Sequence, residues 1–121
     1  MSFGYFKDEK ELLSFRAGET IFEQGDAGNV MYGVAEGEVD IWVRGKLVET
    51  VGEGGIFGEM ALIDDSPRSA TAKARTDCKV AAISERRFLF MVEHAPFFAL
   101  EVMQSLARRL RHVDRLAWGE Q

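Results

Sequence analysis

The sequence is poor in the residues that build covalent staples and metal sites. Cys78 is its only cysteine, which excludes an internal disulfide and any cysteine-based zinc set. Two histidines, His94 and His112, are too few and too far apart for a barrel-type metal centre. Cations are outnumbered: 15 Lys and Arg stand against 20 Asp and Glu, for a net charge of −5. A generally basic nucleic-acid footprint is therefore absent, and an anionic small ligand needs a local site that outweighs the global field. No apolar run approaches the roughly 18 residues of a membrane-spanning helix. The start, Met1 to Glu9, has no basic segment leading into an apolar one, so it does not read as a signal peptide. The cytoplasm is the expected location, and no membrane contact is expected.

What is present is an ordinary globular composition, 46% hydrophobic and 29% charged in 121 residues. One domain spanning 1–121 is the expectation, with enough chain for a real core. Residues 7–14 read as a short amphipathic helix, with Asp8 and Glu9 where negative charge suits a helix start. Glycines then recur between short runs of β-formers: Thr20–Phe22, Val30–Ala35, Glu38–Arg44 and Leu47–Val51. In the third run Val39, Ile41 and Val43 share one face by period two. Gly45-Lys46 fits a two-residue hairpin turn. Ser69–Ala74 and Cys78–Ile83 read as further strands, joined by a turn at Thr76-Asp77. From Ser84 the period becomes helical. Ser84 is placed to cap a helix over Glu85–His94, and Pro96 opens another that runs to about Ala117. The order predicts an α+β architecture: a short N-terminal helix, an antiparallel β-roll of about eight strands, then two C-terminal helices.

The most unusual stretch is 57–72. Gly54, Gly55 and Gly58 permit close backbone approach to a ligand. Glu59 to Ile63 can make one helical turn, whose first amides around Met60 and Ala61 would face an anion. Arg68 follows a Pro67-containing turn and can fold back over the same spot. Arginine meets a phosphate with two parallel hydrogen bonds, and a neighbouring carboxylate such as Glu59 can accept from a sugar hydroxyl. Phosphate plus ribose is the ligand these parts describe. An internal Glu59–Arg68 ion pair across a tight loop is an equal alternative on chemistry alone. No Ser/His/Asp or Cys/His grouping stands nearby, so no enzyme activity is expected.

The run Phe57-Gly-Glu-Met-Ala-Leu-Ile-Asp-Asp-Ser-Pro-Arg-Ser-Ala-Thr71 strongly resembles the phosphate-binding cassette of cyclic nucleotide-binding domains, as found in kinase regulatory subunits, gated channels and catabolite-activator-type regulators. Phe15 to Ile41 is similar to the glycine-rich first half of that family, so the likeness covers almost the whole chain. It implies an eight-stranded, jelly-roll-like β-roll flanked by helices. By this resemblance Glu59 takes the ribose 2′-hydroxyl and Arg68 pairs the cyclic phosphate. Gly58, Ala61 and Ser69 offer backbone N–H groups, with the Ser69 hydroxyl as an extra donor. Serine rather than a guanine-favouring threonine at 69 leans towards cyclic AMP over cyclic GMP. Arg111, Leu116 and Trp118 are candidates to cover the base.

The function expected from the resemblance is a stand-alone cyclic nucleotide sensor. Its C-terminal helices would pass occupancy to a homodimer or an effector protein of unknown identity. The alternative is an interaction scaffold that kept the fold without the ligand. After Leu110 too little chain is left for the helix-turn-helix reader of the bacterial regulators, so DNA is not an expected partner. Arg108, Arg109, Arg111 and Arg115 read as a solvated face near a helix end, with a basic docking patch as the rival reading. The stripe Ala99, Val102, Met103, Leu106, Leu110, Val113 and Ala117 can pack on the roll or pair with its copy.

Overall fold

Alternating branched and polar residues, cut short by glycine turns, produce strands of two to seven residues. A computed structural model describes residues 6, 9 and 11–117, with side chains as far as 112. The strands are β1 (Leu13–Phe15), β2 (Thr20–Phe22), β3 (Val30–Glu36), β4 (Val39–Val43), β5 (Lys46–Val51), β6 (Ile56–Phe57), β7 (Thr71–Ala74) and β8 (Cys78–Ser84). A short helix α1 (Met60–Asp64) lies between β6 and β7, and α2 (Glu85–His94) and α3 (Phe97–Ala117) close the order. The strands form two four-stranded sheets, β1-β8-β3-β6 and β2-β7-β4-β5, and every pairing is antiparallel. The expected eight-stranded antiparallel β-roll is what the chain adopts.

The two sheets face each other across one core. Phe22, Val39, Ile41, Val51, Ala72 and Ala74 come from one sheet, and Val34, Phe57, Cys78 and Val80 from the other. Each fully buried aliphatic side chain of this kind contributes about 1.5–3 kcal/mol. A bulge between Val34 and Glu36 lets consecutive Val34 and Ala35 both be buried. On Gly33 the ring of Phe6 lies where a Cβ would stand, and Phe6 is itself buried.

Three local expectations move. Of the helix expected over 7–14, residues 7, 8 and 10 lie outside the described residues, 9, 11 and 12 have no regular structure, and Leu13 and Ser14 belong to β1, opposite Val80 and Lys79. The β4–β5 turn is Arg44-Gly45, one residue earlier than expected, because Val43 pairs with Lys46. Both turn residues have positive φ, +51° and +79°, which matches the twist of a tight hairpin. On α3 the buried positions are Phe98, Val102 and Ser105, while Met103 and Leu110 of the expected stripe are exposed. The side chains of Val113 and Ala117 lie outside the described set.

The chain divides into two compact units, Met1–Arg86 and Arg87–Gln121. The first is the β-roll with α1. The second is helical, broken at Pro96, with the Phe88 and Phe98 rings packed at 5.7 Å. Among the described residues no helix is long and apolar enough to cross a membrane.

Candidate functional site

The site is built where β6 gives way to α1. Gly58 ends the strand at φ +76°, a conformation glycine adopts without penalty. Glu59 follows at the N-cap position with helical φ and ψ, and its side chain is buried. Met60 and Ala61 form the first turn of α1, where backbone amides have no carbonyl four residues back to bond. Ala61 is buried and Ser69 is exposed. Asp65 ends the helix in the left-handed region at φ +59°, and the Asp64 carboxylate accepts from Ser66 N–H, so the chain reverses towards Arg68.

Arg68 is the centre of the site. Its backbone is tied to the β2–β3 loop at both ends. Arg68 N–H donates to Asp26 O at 2.8 Å, and Gly25 N–H donates to Arg68 O at 2.8 Å. The side chain is only 6% exposed. Nη1 donates to Gly58 O at 3.0 Å, and Cζ stands 4.2 Å from the centre of the Phe22 ring and 5.6 Å from that of Tyr32. Phe22, Tyr32 and Phe57 form a ring cluster with centroids 5.2–6.0 Å apart. Nε is buried and has no hydrogen-bond partner among the described residues. Burial pushes the guanidinium's pKa down, and the fields of Tyr32 and Asp26 act the other way.

Gly58, Glu59, Ala61 and Arg68 lie on one turn-and-return segment, and Gly58 and Arg68 are in direct contact. The rival reading of a Glu59–Arg68 ion pair does not describe this arrangement. Among the described residues the guanidinium is engaged by a carbonyl and aromatic rings, and no carboxylate pairs with it. Of the glycines singled out for close approach, Gly54 and Gly55 instead exchange backbone hydrogen bonds with Val34. The close approach to Arg68 is made by Gly58, where a Cβ would come within 2.8 Å of Nη1, and by Gly28, which sequence reasoning missed: a Cβ there would overlap Nε, Cζ and Nη2. Phe22 was also missed. Its only sequence mark is an aromatic just before a glycine turn, and nothing local links it to Arg68. Of the candidate base covers, Arg111 is exposed, the Leu116 side chain is not described and Trp118 lies outside the described residues.

A buried cation with a donor uncommitted, on a glycine-lined loop of a β-roll, has the chemistry to meet a small anion. The model of the cyclic nucleotide-binding domain family matches residues 12–95, and the chain belongs to that family. It is similar to the catabolite activator protein of Thermus thermophilus, with 34% identity over 92% of this chain and a TM-score of 0.75. It is also similar to the EAL enzyme Bd1971 in its cAMP-bound form, with 33% identity over 89% of this chain and a TM-score of 0.63. The cAMP-bound PfPKA-R shares the fold, with a TM-score of 0.77 at 24% identity over 88% of this chain. The chain spans 53%, 31% and 37% of those three chains respectively.

Proposed function

We propose that the chain is a cyclic nucleotide-binding regulatory module, taking cyclic AMP in preference to cyclic GMP, without turnover of the ligand. The family is typically regulatory rather than catalytic. The observation that carries the reading is Arg68: a 94%-buried cation would be costly to keep unless an anion meets it, and its Nε–H lacks an acceptor. In this reading Arg68 meets the cyclic phosphate and Glu59 accepts from the ribose 2′-hydroxyl. The amides of Gly58, Ala61 and Ser69 and the Ser69 hydroxyl complete the cradle. Relatives support the ligand class, since the Bd1971 enzyme has both a cAMP-bound and a cGMP-bound form. Ser69, in place of threonine, supports cyclic AMP.

In the same proposal α2 and α3 pass occupancy to a second copy of the chain or to an effector protein. Met103 and Leu110, exposed on α3, support such a contact. Calorimetry with both nucleotides tests the reading. We expect a dissociation constant at or below the micromolar range, about −8 kcal/mol or better, and tighter for cyclic AMP. Arg68→Ala is expected to weaken binding by about 2–5 kcal/mol, because it strips the partner from a buried charge. An absence of binding heat with either nucleotide overturns it.

A further inference from the structure

We propose that Phe22 and Gly28 are positioning residues for Arg68: they form a slot that fixes the depth and plane of the guanidinium before any ligand arrives. This rests on the reading of Arg68 as the phosphate's partner. Three observations carry it. The Phe22 ring lies 4.2 Å from Cζ, within the range of a cation–π contact, and Phe22 is itself anchored in the core and against Tyr32 and Phe57. Gly28 is not among the glycines with positive φ, so its backbone does not require glycine. What requires glycine there is space, because a Cβ would occupy the volume of the guanidinium itself. Gly58 closes the remaining side, where a Cβ would come within 2.8 Å of Nη1.

The physical consequence is preorganisation. A long arginine side chain free in water loses rotamer entropy when it grips an anion, and that loss weakens binding. Inside the slot the loss is already incurred on folding. The slot is also shaped for a flat group that can stack on a ring, so lysine is no substitute at 68.

The test begins with the ligand-free wild-type protein, which needs no variant to fold. Nuclear magnetic resonance should show the Arg68 Nε–H shifted upfield by the Phe22 ring and slow to exchange with water. In Phe22→Leu the ring-current shift disappears while the circular dichroism spectrum stays that of a folded roll, and in Phe22→Tyr the shift returns. Calorimetry with cyclic AMP should show Phe22→Leu binding about 3- to 30-fold more weakly, the range of a cation–π contact converted at tenfold per 1.4 kcal/mol. Gly28→Ala should bind at least as weakly as Phe22→Leu, because its Cβ displaces the guanidinium. Phe22→Tyr should bind close to wild type. An Arg68 Nε–H at an ordinary shift with fast exchange overturns the slot. So does wild-type affinity in both Phe22→Leu and Gly28→Ala when Arg68→Ala has lost binding. Wild-type affinity in Arg68→Ala overturns instead the phosphate role beneath it.

Discussion

A single side chain can be ionisable, buried and inert, and Cys78 is the example. It sits in the core between the sheets, and burial pushes its thiol pKa up, with Asp77 and Glu19 adding to the shift. An unfolded thiol titrates near about 8.5. Above that pH the unfolded chain has released the proton while the folded one keeps it. Stability from this group is thus complete below about pH 8.5 and declines as pH rises towards the folded pKa. Urea titrations in reductant between pH 7 and 10 should show this decline, and Cys78→Ala should lose it; parallel curves for the two proteins would contradict the assignment. At this scale the sequence was partly legible. Glu59 and Arg68 stood out because a carboxylate and a guanidinium in a glycine loop are chemically conspicuous. Phe22 and Gly28 did not, because a ring contact and a missing Cβ acquire meaning only once the chain has brought Arg68 to them.

Glycine turns set the ends of the elements, and two of them separate strain from collision. Gly18 and Gly37 have nearly the same φ, +90° and +86°, yet a Cβ at 18 meets nothing, whereas one at 37 would collide with Asp77 O. Gly18→Ala should therefore lose only the left-handed strain, about 1–2 kcal/mol. Gly37→Ala should lose that and more, since the Thr76-Asp77 turn it abuts is also held by Glu38 N–H on Thr76 Oγ1 and Ala17 N–H on Asp77 Oδ1. Equal shifts of the two urea midpoints would refute the distinction. The long elements were legible because period two over Val39–Val43 and helical period over Glu85–His94 are repeated signals. β1 and β6, of three and two residues, are too short to show a period and owe their existence to partners in β8 and β3. Of the α3 stripe Val102 is buried while Met103 and Leu110 are exposed, because spacing alone gives a face and not what lies against it.

For the whole molecule the strand order is the governing fact. β2 lies beside β7, and β1 beside β8, so the first strands are held by the last. A nucleotide that binds only the folded roll should raise stability by about 2.7 kcal/mol at a hundredfold excess over its dissociation constant. Thermal melts with and without cyclic AMP should show that rise in wild type and its loss in Arg68→Ala; a rise of equal size in the variant would contradict the site. The antiparallel roll was legible from its many short strands, while the sheet order was not, since alternation names faces and never neighbours. The order has a consequence for where the site comes from. Gly25 and Asp26 reach Arg68 through reciprocal backbone bonds across the β2–β7 edge. No contiguous fragment short of the span from Phe22 to Ser69 contains both the cradle and the residues that hold Arg68 in place. Contacts this distant along the chain close late and belong to the slower class of folders. If the cradle takes the nucleotide as proposed, capture would be a proofreader of completed topology: a chain that has made only its local hairpins would have nothing with which to hold the ligand.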